Sequence, residues 1–147
     1  MSSKTNVWAR RKARRALVQA LYQWQLSGND ISSVLKDFAE GDSLKKADHE
    51  FFDEVFRKTA THAGELDALF ADLLDRATDK LDHVERAILR LAASEFSYRI
   101  DVPYRVVIDE YVELAKTFGA QDSHKYINGV LDNLAAKLRE IEVESGG

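Results

Sequence analysis

The chain has 147 residues, 45% of them hydrophobic and 31% charged, which suits one domain with a genuine core. It contains no cysteine, which excludes a disulfide framework, a thiolate zinc site and a cysteine nucleophile. No apolar run approaches the roughly 20 residues that a membrane-spanning helix needs, and Met1 to Asn6 lacks a secretory stretch, so the expectation is a cytoplasmic protein without membrane contact. The net charge of −4 conceals a segregation. The first 27 residues carry Lys4, Arg10, Arg11, Lys12, Arg14 and Arg15 and no carboxylate, whereas the other 120 hold 15 Lys/Arg against 25 Asp/Glu. A cationic segment on an acidic body is an electrostatic footprint of nucleic-acid contact; it is also the pattern of a solvated basic tail.

One proline, seven glycines and abundant Ala, Leu, Glu and Lys predict an all-α fold, a bundle of about seven helices. The first helix is expected from about Asn6 to Leu26, ending at the turn cluster Ser27-Gly28-Asn29-Asp30. A short second helix covers Ile31 to Glu40. Asp48 caps a long third stretch through Phe51, Phe52, Val55 and Phe56, which Gly64 kinks or divides before Leu66 to Leu74. Asp82 caps the next helix, His83 to Tyr98. Pro103 starts another, ending at Gly119, and the last runs from Asp122 or Ser123 to about Arg139. The expected division is an amino-terminal lobe over about 6–76 and a carboxy-terminal lobe over about 80–139, with a weak seam at Gly41 to Lys46. Residues 140–147 are expected to be a disordered tail.

At about 100° per residue, Ala13, Ala16, Leu17, Ala20 and Trp24 share the core face of the first helix. Arg11, Arg15, Val18, Tyr22 and Leu26 line the opposite side, with Arg10 and Arg14 on a flank. A cationic half-stripe thus continues into an apolar one. Two readings are open for Val18, Tyr22 and Leu26: later helices bury them, or a second protein does. The arginines suit phosphate oxygens, and Tyr126, Phe118, Gln19 and Gln23 are candidates for stacking on bases or reading their edges.

Between Phe118 and Gly129, Gly119 reads as a terminator and Asp122 or Ser123 as a cap, so that Lys125 and Tyr126 fall beside a helix N-terminus. Gly129 inside a helix suggests close packing against a neighbour. Glu95 lies on the apolar face of its helix with Val84, Ile88 and Leu91; the open N–H groups after Pro103 are its expected partners. His49-Glu50-Phe51-Phe52-Asp53 only echoes the zinc pattern H-E-x-x-H, because Asp replaces the second histidine and no third ligand stands out. No glycine-rich phosphate loop or Gly-x-Ser-x-Gly elbow occurs, so neither an enzyme nor a metal or other cofactor is expected.

The run from Arg10 to Leu26, RRKARRALVQALYQWQL, resembles the opening helix of the bacterial transcription antitermination factor NusB family. Val84-Glu85-Arg86-Ala87-Ile88-Leu89-Arg90-Leu91-Ala92 is similar to a later block of it. So are Asp101-Val102-Pro103-Tyr104-Arg105-Val106, followed by Glu113 to Gly119, and Asp122 to Asp132. These blocks keep their order across about residues 10–138. The resemblance implies a non-catalytic, two-lobe protein that binds the single-stranded boxA element of ribosomal RNA leader transcripts with NusE, a small-subunit ribosomal protein. The pair would join the RNA polymerase elongation complex with other Nus factors. It implies RNA-binding roles for Arg10, Arg11, Lys12, Arg14 and Arg15, joined by Gln19 as a candidate reader of base edges, and a second RNA-proximal patch at Asp122, Lys125 and Tyr126. It implies that Tyr22, Leu26 and Glu85 face NusE, and with them Val18 moves to the partner surface. Tyr126 stands where the family frequently has Phe, and residues 30–46 show no match.

Overall fold

A computed structural model describes residues 3–146; the Lys4 side chain and Gly147 lie outside what is described. Eight α-helices and no strands are present among the described residues: α1 Ser3–Ser27, α2 Ile31–Glu40, α3 His49–Thr61, α4 Ala63–Phe70, α5 His83–Tyr98, α6 Tyr104–Phe118, α7 Ser123–Leu138 and α8 Glu140–Glu144. Two 3₁₀ turns, Ala71–Leu73 and Thr78–Lys80, link α4 to α5.

Local chemistry sets most of the boundaries. Asp30 accepts from Ser33 N–H at 2.7 Å, Asp48 from Phe51 N–H at 3.0 Å and Asp82 from Glu85 N–H at 2.7 Å, each satisfying an open donor at a helix start. The Glu85 carboxylate accepts in return from Asp82 N–H at 3.3 Å, completing a capping box. The division after α3 falls at His62, not at Gly64 as expected. His62 leaves helical geometry while its N–H still bonds the Lys58 carbonyl, and Gly64 continues as an ordinary residue of α4.

The core explains the arrangement. α5 buries Ala87, Ile88, Leu89, Leu91, Ala92, Ala93 and Phe96, so it is apolar nearly all round, as a bundle's central helix must be. α1 packs on both α3 and α5, and α6 and α7 close the other side of α5. One hydrophobic cluster runs from Ala13 through Phe52, Phe56, Ile88 and Tyr111 to Leu134.

Three further expectations fail. The tail from residue 140 carries α8, because Glu142 accepts from Tyr104 N–H at 2.9 Å and pairs with Arg139 at 2.6 Å. The first donor after Pro103, Tyr104 N–H, is therefore met by Glu142 and not by Glu95. Gly129 is exposed and a Cβ there would touch nothing within 4 Å, so no close helix contact accounts for it. A tight approach occurs instead at Gly119, where an added Cβ would sit 2.7 Å from the Ala115 carbonyl and 3.2 Å from Ser123.

Candidate nucleic-acid interface

Between Arg11 and Leu26 the exposed residues of α1 form one arc. Arg11, Lys12, Arg15, Gln19, Tyr22 and Leu26 are exposed, and at about 100° per residue they fall within roughly one quadrant. Val18 lies just beyond its edge and is 2% exposed, sealed in the core. Its assignment to a partner surface is corrected, since α3 and α5 together cover more of α1 than a single core face would. Gln19 takes its place on the ridge.

The arginines divide by the same geometry. Arg14 is 3% exposed and reaches Glu95, fully buried, through two hydrogen bonds of 2.9 Å; the Tyr111 hydroxyl donates to the same carboxylate at 2.5 Å. Burial opposes the charge on Arg14, but the bonds and charge of Glu95 outweigh it and hold its pKa above that of an ordinary arginine. Burial, followed by the Glu95 charge, pushes the Tyr111 phenol up. Arg14 is thus a structural counter-ion, and its assignment to RNA is corrected. Arg10 is half-buried, 3.5 Å from Asp48 and stacked over Phe51. Arg11 pairs with Glu110 at 3.1 Å and lies over Trp8, an aromatic ring 64% exposed that belongs to none of the sequence motifs. Its signal was an aromatic residue just before the basic run.

Lys12 and Arg15 form no ion pair among the described residues, although Arg15 lies over the Phe118 ring at 5.3 Å. They line one wall of an open groove of about 610 Å³, completed by Gln19, Asp42, Ser43, Lys45 and Lys46. The expected seam at Gly41 to Lys46 is therefore a fixed loop against α1. Leu44 is buried, His49 Nε2 lies 2.8 Å from the Leu44 carbonyl, and Asp48 N–H donates to the Ala9 carbonyl at 3.0 Å. Asp53 pairs with Arg57 at 2.9 Å, so both side chains of the zinc-like pattern have protein partners.

The Arg15–Phe118 contact brings the end of α6, and the Gly119 turn beyond it, to the ridge. Asp122 is exposed with φ 66°, and its carboxylate is 3.5 Å from Lys125, an exposed pair of little energetic weight. Tyr126 is half-buried: its hydroxyl accepts from Asp75 N–H at 3.4 Å and Arg76 covers its ring at 4.2 Å. Burial is the main reason its phenol pKa is raised. Gln23 donates to Asp37 at 3.2 Å, which occupies the amide proposed as a base reader.

At the other end of the arc Tyr22 is 39% and Leu26 52% exposed. Tyr22 meets His83 edge-on at 6.3 Å, and Gln25 donates to the His83 carbonyl at 2.9 Å, tying this patch to the start of α5. Glu85 lies within that helix start but is buried, accepting from Asp82 N–H and, at 2.9 Å, from the Ser123 hydroxyl. It fastens α5 to α7; as a direct partner contact it is corrected.

A helical domain whose first helix offers a cationic groove beside a small apolar patch has the form of a two-contact adaptor. The NusB family model matches residues 11–136. The transcription antitermination protein NusB of Yersinia pestis is 52% identical over 132 residues, spanning 90% of this chain and 96% of the relative. A solved structure of T. maritima NusB superposes with TM-score 0.81 at 28% identity, over 91% of this chain and 96% of that one. A crystal structure of the antitermination factors NusB and NusE in complex with dsRNA superposes with TM-score 0.78 at 26% identity, over 86% and 96%. The chain belongs to the NusB family.

Proposed function

We propose that this chain is a non-catalytic RNA-binding antitermination factor. It holds the boxA element of ribosomal RNA leader transcripts together with NusE, and supports processive elongation by RNA polymerase in the cytoplasm. The observation that carries this reading is the exposed arc of α1, where Lys12 and Arg15, in no ion pair among the described residues, continue into Tyr22 and Leu26. A related NusB, crystallised with NusE and dsRNA, lends it support.

On this reading Arg11, Lys12 and Arg15 hold phosphates, with Gln19 as a polar neighbour. Arg10 adds long-range charge from its half-buried site. Lys125 can exchange Asp122 for a phosphate, and the free part of the Tyr126 ring, together with Trp8, offers faces to unpaired bases. Tyr22 and Leu26 dock NusE, on a patch whose shape Glu85 maintains from below. The lobes at 6–76 and 80–139 meet along α1 and α5, which carry the RNA and NusE surfaces between them.

The test is a filter-binding titration of a boxA-like single strand across salt, with and without NusE, beside a duplex of the same sequence. Neutralising four to five phosphates of a single strand gives a slope of log affinity against log salt of about −3 to −3.5. NusE is expected to raise RNA affinity, because a second surface beside the ridge lengthens the contact. Equal affinity with and without it contradicts cooperation.

One observation favours a second reading, a protein-only adaptor: Arg10, Arg11 and Arg14 all have carboxylate partners within the chain. That reading expects no sequence preference at any salt.

A further inference from the structure

The flanks of the α1 ridge differ in charge. On the α6 side, a groove lined by Trp8, Arg11, Lys12 and Arg15 also contains Glu110 and Glu113. Glu110 engages Arg11 at 3.1 Å, and a phosphate chain passing there would face both carboxylates. On the side of the loop between α2 and α3, Lys12 and Arg15 face Lys45 and Lys46 across a groove in which Asp42 is the one carboxylate among the lining residues.

None of these four cations forms an ion pair among the described residues, whereas Arg10, Arg11, Arg14, Arg57, Arg76, Arg90, Arg99 and Arg139 all do. In a chain with net charge −4, four unpaired cations around one groove are a concentration of uncompensated positive charge.

The loop that presents the lysines is built to hold its place. Lys45 N–H donates to the Asp42 carbonyl at 3.1 Å and Ala47 N–H to the Leu44 carbonyl at 3.0 Å, while Leu44 plugs into the core. Lys46 occupies the left-handed region at φ 64°, a conformation a lysine adopts only where its surroundings enforce it. Asp48, just beyond, is bonded to the backbone of α1 at Ala9.

We propose that Lys45 and Lys46 form the second wall of the RNA site. The phosphodiester chain then runs between α1 and the α2–α3 loop, with Lys12 and Arg15 on one side and the two lysines on the other. This deepens the RNA-binding reading and rests on it. Residues 30–46, in which the sequence alone shows no functional motif, thereby acquire a role.

The experiment compares the full-length wild-type protein, the double variant Lys45→Gln/Lys46→Gln, and the charge-matched control Lys36→Gln/Lys80→Gln, by filter binding of a boxA-like single strand from low to moderate salt. With Lys12, Arg15, Lys45 and Lys46 engaged, the wild-type slope is about −3, and losing two phosphate contacts moves it to about −1.5. The control should keep the wild-type slope, and all three proteins should keep their helicity and NusE binding. A wild-type slope in Lys45→Gln/Lys46→Gln, or an equal loss in the control, overturns this second wall while leaving RNA binding itself intact. Absence of RNA binding by the wild type overturns the RNA reading and this proposal with it.

Discussion

Arg14 and Arg15 are adjacent in sequence, about 100° apart on α1, and meet opposite surroundings. Arg14 points into the bundle, where Glu95 and Tyr111 surround it. Arg15 points outward over Phe118 into a groove with three other cations. The same side chain is a structural counter-ion at one position and a ligand-facing charge at the next. What decides is the share of α1 that α3 and α5 cover, which also separates Val18 inside from Tyr22 and Leu26 outside.

The sharpest way to break this contrast is to remove each arginine in turn. Arg14→Ala leaves Glu95 buried without its counter-charge and is expected to lower stability by about 3–5 kcal/mol, measured by urea denaturation. Arg15→Ala should change it by less than about 0.5 kcal/mol, as an exposed position does. Similar losses in both variants would erase the distinction.

The apolar half of the helix is tested the same way. Tyr22→Asp is expected to weaken NusE binding by about 2–4 kcal/mol in a calorimetric titration, with the fold unchanged. Val18→Ala should cost stability instead and spare the complex. Undiminished NusE binding by Tyr22→Asp would return that ring to a purely internal role.

Gly129 and Glu142 extend the comparison beyond α1, with smaller effects. Gly129→Ala, with open space around its Cβ, should raise stability by about 0.5–1 kcal/mol in the same denaturation assay. A loss would reveal a contact at this exposed site. Glu142 is held below the usual carboxylate range, chiefly by Tyr104 N–H and further by Arg139. A carboxylate depressed in the folded state stabilises above its ordinary range, and that contribution fades as pH falls through the depressed value. Glu142→Gln should therefore flatten the acid side of the stability profile slightly; an unchanged profile would contradict the link between α8 and α6.

The helix boundaries were largely legible because they depend on neighbours in sequence: Asp30, Asp48 and Asp82 are followed by the N–H groups they cap. The outward ridge was legible from helical periodicity at Arg11, Arg15, Tyr22 and Leu26. Periodicity places residues around an axis without saying how much of the circle neighbours occupy, which is why it leaves Val18 open and sets Arg14 on a flank, and why the roles that the resemblance implies for them outside the core do not hold. Glu95 lies far along the chain from Arg14, and no local pattern announces their pairing. Glu142 was hidden for a similar reason, since its value lies in a contact with Tyr104 across the fold. Lys45 and Lys46 read as an ordinary polar loop until the chain brings them opposite Lys12 and Arg15.

The central claim is that the exposed arc of α1 holds RNA, and the most direct measurement is RNA retention by the double variant Arg11→Glu/Arg15→Glu on a boxA-like single strand at low salt, with helicity monitored by circular dichroism. Retention should be abolished while helicity stays at the wild-type level. Wild-type RNA affinity in this variant would contradict the claim.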